Sequence, residues 1–127
     1  MSGRGPGVRS VDRSAAAAAA DAERRGASVV VLRPVAGKAE LLAEFARALG
    51  FPGWVGRNWD ALADALGDLS WLPPGPRVVV WAGSEELRSA QPAAYRTALE
   101  VLRDGTARSA GTERPLTILL AQAPEQA

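Results

Sequence analysis

The chain has 127 residues, of which 47% are hydrophobic and 23% charged, and its formal net charge is +1. That length supports one domain with its own core but not two. Cysteine and histidine are both absent, which excludes a disulfide framework, thiolate zinc sites and thiol catalysis, fits a reducing cytoplasm, and removes the commonest general base and metal ligand.

Residues 1–14 are rich in Gly, Ser and Arg and show no apolar periodicity, so they are expected to form a disordered tail. Five arginines against Asp12, Asp21 and Glu23 give residues 1–27 a charge of +2, leaving −1 for the rest of the chain. The run SAAAAAADAERRG has strong helix propensity but nothing large to bury, so a helix there lacks a tertiary anchor. Its six alanines run straight into DAERR and make a poor apolar region for a secretory signal. The tail arginines are read as solvated rather than as a nucleic-acid contact. Elsewhere no apolar run reaches the length of a membrane span. The folded domain is expected over residues 28–122, with a weakly helical or disordered tail at 1–27 and a frayed end at 123–127.

SVVVL (Ser28–Leu32) is a short β-branched run suited to a buried parallel strand. Pro34 ends it and Gly37 marks a turn. KAELLAEFARALG follows with Leu41, Leu42, Phe45, Ala48 and Leu49 at helical spacing, and Gly50 is placed to cap its C-terminus. Next comes FPGWVGRNWDALADALGDL, then the turn-rich LPPGP. RVVVWAG (Arg77–Gly83) is a second buried strand, and Ser84 is placed to cap the short SEELR helix. Pro92 suits a first helical position and opens PAAYRTALEVLRDGTARS, with Tyr95, Leu99 and Leu102 on one side. LTILLA (Leu116–Ala121) is the third strand. Strands separated by helices predict an α/β domain with parallel pairing and right-handed crossovers. There is no internal repeat.

The segment from Phe51 to Leu69 carries the chemistry. Asn58 is a favoured N-cap residue, predicting helix from Trp59 to about Leu69. At about 100° per residue, Trp59, Leu62, Leu66 and Leu69 share the buried side. Asp60, Asp64 and Asp68 lie opposite, and like charges four apart cost about 0.2–0.5 kcal/mol per pair. The helix dipole favours Asp60 in the first turn and disfavours Asp68 in the last. Two readings stay open for this face: a solvated surface, or a docking face for a cationic partner. Trp54, among glycines, is either a lid on the core or an exposed interface anchor. Gly53 and Gly56 serve tight turns or close backbone approach. An Asp60/Asp64 pair on an exposed helix lacks the burial that tunes acid–base groups, and no phosphate-binding glycine motif is present. Trp71 and Trp81 read as core or core-edge aromatics. No catalytic residue, cofactor site or metal site is expected.

The pattern P-x-W-x-G-x-N-x-D-A-L-x-D-x-L, Pro52 to Leu66, resembles the signature of the barstar family of intracellular ribonuclease inhibitors. VVVWAG with Trp81, the helix containing VLRDG and the closing LTILLA agree with that family in order and spacing, over roughly Ser28 to Ala121. The resemblance implies a three-stranded parallel sheet packed against about four helices. It also implies a second helix and preceding loop that plug the active site of a small, basic, secreted ribonuclease in a 1:1 complex, with carboxylates standing where RNA phosphates would bind. Matching positions carry the partner-binding role to Trp54, Gly56, Asn58, Asp60, Asp64 and Asp104, with Asp64 as the central contact. Ala63 belongs to the same surface but stands where the best-known member has a large aromatic, and Arg57 adds a positive charge there. The resemblance therefore implies a cytoplasmic inhibitor, monomeric when free, with no nucleic-acid or membrane partner. The alternative is an immunity or regulatory module of the same fold whose partner is not a ribonuclease.

Overall fold

The computed structural model describes residues 6–122; the expected fraying of 123–127 lies outside them. The chain runs β1 (Gly7–Ser14), α1 (Ala15–Arg24), β2 (Ser28–Leu32), α2 (Lys38–Leu49), α3 (Trp59–Asp68), β3 (Arg77–Ala82), α4 (Glu85–Ala90), α5 (Pro92–Ser109) and β4 (Leu116–Gln122). The strands form one sheet in the order β1-β4-β3-β2, and every pairing is parallel. In the centre Val79 stands beside Ile118 and Trp81 beside Leu120. All three predicted strands form, and the sheet gains a fourth that the sequence reading did not anticipate.

That fourth strand corrects the expectation of a disordered N-terminal tail over residues 7–14; residues 1–5 of that tail lie outside the described residues. GVRSVDRS lacks apolar alternation, yet Gly7, Val8, Arg9 and Ser10 pair with Thr117, Ile118, Leu119 and Leu120 before the register shifts toward Ser14. Backbone ladder bonds require no apolar side chain, so hydrophobic patterning is a weak guide to an edge strand. The alanine run also has its anchor. Ser14 caps α1, its Oγ accepting from the Ala17 N–H at 3.2 Å. Ala15 and Ala18 then pack on Val80, Ala82, Leu119 and Ala121 of the sheet. The anchor consists of small side chains that let the helix lie close, rather than of large ones that reach.

Strand periodicity splits the sheet into two cores, since alternate residues face opposite ways. Val78, Val80 and Ala82 face α1, whereas Val79 and Trp81 face the larger layer of α2 to α5. There Leu41, Phe45 and Leu49 of α2, Leu62 and Leu66 of α3, Leu87 of α4, and Ala98 and Leu102 of α5 complete the main core. Trp81 is fully buried, as read, and its indole Nε1 has no hydrogen-bond partner. Tyr95 lies 6.0 Å from it, ring centre to ring centre. Gly50 caps α2 in the left-handed conformation with φ 62°, as its position predicts. Ser84 makes no side-chain cap bond to α4, contrary to expectation; its backbone is helical and its side chain buried. An N-cap needs an extended residue whose oxygen faces the first turn, and Ser84 is already inside the turn.

One buried charge ties β2 to α2. Glu44 accepts from the Arg33 backbone N–H at 2.8 Å, from the Arg33 guanidinium at 3.1 and 3.2 Å, and from Arg47 at 2.7 and 3.2 Å. The hydrogen bonds from Arg47, with those from Arg33, hold its carboxyl down at about 2 against the cost of burial.

Helices α3 and α5 approach closely because each offers a glycine at the crossing. A Cβ on Gly105 would come within 2.8 Å of the Leu66 Cβ, and one on Gly67 within 2.8 Å of the Arg108 Cβ. This crossing builds the surface described next.

Candidate functional site

The loop before α3 is held from beneath by aromatic stacking. Trp71 donates its indole N–H to the Leu49 carbonyl at 2.9 Å and meets Phe51 edge-on at 5.6 Å. Trp54 stacks edge-on against the outer side of Trp71 at 6.1 Å, yet 74% of it remains exposed. Trp54 thus rests on a core-edge ring while most of its own surface faces solvent. Trp71 lies at the core edge, as read.

Asn58 then starts the helix. Its Oδ1 accepts from the Ala61 N–H at 2.8 Å and its carbonyl from the Leu62 N–H at 3.0 Å. Gly56 leaves room for that cap, because a Cβ there would sit 3.1 Å from the Asn58 Nδ2. Gly56 thus fits the close-approach reading, while a Cβ on Gly53 would meet nothing within 4 Å. Leu62 and Leu66 face the core, and Trp59 is half-buried with the Lys38 ammonium 5.2 Å from its ring. Asp60, Asp64 and Asp68 all face solvent. Asp68 accepts from the Ser70 hydroxyl at 2.9 Å, a local bond that holds it at the helix end.

Two grooves flank α3. One, of about 320 Å³, is lined by Trp54, Gly56, Asp64 and Asp68 among others. The second, of about 400 Å³, runs between α3 and α5 and is bordered by Asp60, Asp64, Glu100, Asp104 and Arg108. Ala63 lines this groove too and is only 6% exposed, so the position offers a partner a recess rather than a projecting side chain. Asp64 borders both grooves.

Six of the seven residues singled out in the sequence therefore line one or other of the grooves flanking α3, and Asn58 caps that helix without lining either. Two others belong there that the sequence reading passed over. Glu100 lies one turn before Asp104 on α5, an (i, i+4) spacing that a search for acidic faces would find. Arg108 is the more consequential. Its Nη1 meets Asp64 at 2.6 Å and its Nη2 meets Asp104 at 2.8 Å. The hydrogen bond that Arg108 donates to Asp64 and the charge of Asp104 raise its pKa above the ordinary arginine value. The Asp104 contact follows from helical spacing, but the contact across 44 residues to Asp64 depends on the α3–α5 crossing.

Chemically, this surface is a cluster of carboxylates that face water, with one arginine among them. Among the described residues no group of His, Cys, Asp or Glu could hold a metal ion, and no helix is long and apolar enough to cross a membrane. An exposed aromatic beside a rigidly capped acidic helix has the composition of a protein-binding face.

Residues 26–121 fit the family model described as Barstar (barnase inhibitor), a span that includes all seven residues as well as Glu100 and Arg108. It leaves out β1 and α1. No curated protein matches the chain.

Proposed function

We propose, from the premise that this chain belongs to the barstar family, that it is a stoichiometric inhibitor of a small secreted ribonuclease. The family is one of inhibitors, and the finer reading rests on the exposed Asp60 and Asp64 beside the exposed Trp54. In this reading α3 and its preceding loop enter the nuclease active site. Asp60 and Asp64 meet the Lys, Arg or His groups that otherwise bind RNA phosphates, with Asp64 central, and Trp54 anchors the rim. Asn58 and Gly56 act indirectly, by holding the loop and the first turn of α3. Asp104 adds a carboxylate from α5. The inhibitor blocks the active site and takes no chemical step, and it protects the producing cell from within the cytoplasm.

Asp60 and Asp64 stand one helical turn apart, a like-charge spacing that costs stability; Arg108 relieves part of that cost in the free protein through Asp64, and a partner's cations would relieve the rest. Opposite charges also steer encounter and make the association rate salt-dependent.

The test uses barnase, the ribonuclease that the family description names. RNA hydrolysis is titrated with this protein, and inhibition should reach its endpoint at one inhibitor per enzyme. Asp64→Ala should weaken binding at least about tenfold, within the range for truncating one partner of an interfacial charge pair. Full affinity in both Asp60→Ala and Asp64→Ala would sink the proposal. A partner other than a ribonuclease is the second reading. It is favoured by the cations Arg57 and Arg108 on this face and by the recess at Ala63. Capture of a non-nuclease protein that Asp64→Ala no longer captures, with no effect on any secreted ribonuclease, would establish it.

A further inference from the structure

We propose that Arg108 is the specificity determinant of the acidic face: an internal cation that fills the bay between Asp64 and Asp104 in the free protein and must be displaced by a partner's cation. This inference rests on the inhibitor reading of α3 and refines which partner that surface accepts.

The geometry carries it. Arg108 forks between two helices, one nitrogen on Asp64 of α3 and the other on Asp104 of α5, at 2.6 and 2.8 Å. Its aliphatic stem lies over Gly67, where any Cβ would come within 2.8 Å of the Arg108 Cβ and 3.1 Å of its Cδ. The glycine thus makes the path along which the guanidinium reaches Asp64. A guanidinium in this position occupies the place that an arginine or lysine of a nuclease would take.

The same contacts are cheap to break. The side chains of Asp64 and Arg108 are 74% and 49% exposed, and an exposed ion pair contributes at most about fivefold to an equilibrium. Arg108 therefore does not lock the face; it sets a threshold. A partner cation aimed at Asp64 displaces one arm of the fork. Asp104, one helical turn away on α5, keeps the other arm. The freed cation then stands at the edge of the α3–α5 groove. There it repels a rim of uniform positive charge and accepts a carboxylate. The partner that fits places a cation against Asp64 and an acidic side chain beside it, opposite Arg108.

Barnase again serves as the probe, with association and dissociation rates measured from low to high salt. Arg108→Gln is the chosen variant, because it keeps most of the stem over Gly67 and removes the charge. Unfolding midpoints should fall only slightly, because each exposed pair contributes at most about fivefold to the equilibrium. Binding should tighten about twofold to fivefold, mainly through faster association, with the gain shrinking as salt rises. Weaker binding by Arg108→Gln would show that Arg108 orients Asp64 or contacts the partner itself, and would overturn the proposal. Indistinguishable behaviour of the two proteins, whether both bind or neither does, would overturn it equally. If Asp60→Ala and Asp64→Ala leave binding intact, the inhibitor reading of the face fails first. If they abolish binding and Arg108→Gln does not alter it, only the role of Arg108 fails.

Discussion

Replacing Glu44 by Gln removes one charge from a buried cluster whose two arginines reach it from different elements. In the wild type, Arg47 and Arg33 hold the carboxyl at about 2, against an ordinary 4.5. That difference corresponds to roughly 3 kcal/mol of stability at neutral pH. Because the folded-state pKa is depressed, this contribution is fully present above about pH 4.5 and disappears as pH falls toward 2. The charge-linked part of the gap between wild type and Glu44→Gln should therefore be roughly 3 kcal/mol at pH 7, less than half of that at pH 3 and nearly nothing below pH 2. Gln adds to the loss, since its amide N–H groups would face guanidinium donors. Urea titrations followed by tryptophan fluorescence at pH 7, 5, 4 and 3 give the gap directly. A gap of the same size at pH 3 as at pH 7 would refute the charge-linked account and leave only packing. A gap under about 1 kcal/mol at pH 7 would place the pair among those in which desolvation cancels attraction.

Asn58→Ala should cost about 1 kcal/mol by removing the cap on α3, read as a lower urea midpoint with an unchanged slope; no change would mean that water replaces the Ala61 bond at no cost. Gly105→Ala should cost about 1–3 kcal/mol by overpacking, because the new Cβ meets Leu66 at 2.8 Å and the Ala63 carbonyl at 3.3 Å. Stability within about 0.5 kcal/mol of wild type would show that the α3–α5 crossing gives way freely. Deleting residues 1–25 uncovers Val80 and Leu119 and should lower stability by roughly 2 kcal/mol or more, with dye binding to the exposed sheet face. An unchanged midpoint would mean that β1 and α1 contribute nothing to the fold. In barnase association measurements, Asp60→Ala should reduce the salt dependence along with the rate; a salt response identical to wild type would remove Asp60 from the encounter surface.

The sequence by itself determined what depends on near neighbours. RVVVWAG and LTILLA became strands because runs of this composition suit buried parallel pairing; SVVVL also pairs in parallel, but as the edge strand β2 with Val31 exposed rather than buried as its composition suggested. Asn58 and Gly50 bound their helices through bonds closed within a few residues. The acidic face was legible for the same reason, since Asp60 and Asp64 stand one turn apart on a helix whose opposite side is apolar. Features that depend on contact between distant segments needed the folded chain. GVRSVDRS becomes a strand only because β4 offers it an open edge, and the alanine helix is anchored by how near it can come to the sheet. Glu44 is an ordinary helix residue until Arg33 reaches it from the end of β2. Arg108 reads as one more cation on α5; only the glycine crossing of α3 and α5 carries it to Asp64. Periodicity records which side of an element is apolar, whereas the pairing of charges across elements depends on distances that tertiary packing alone sets.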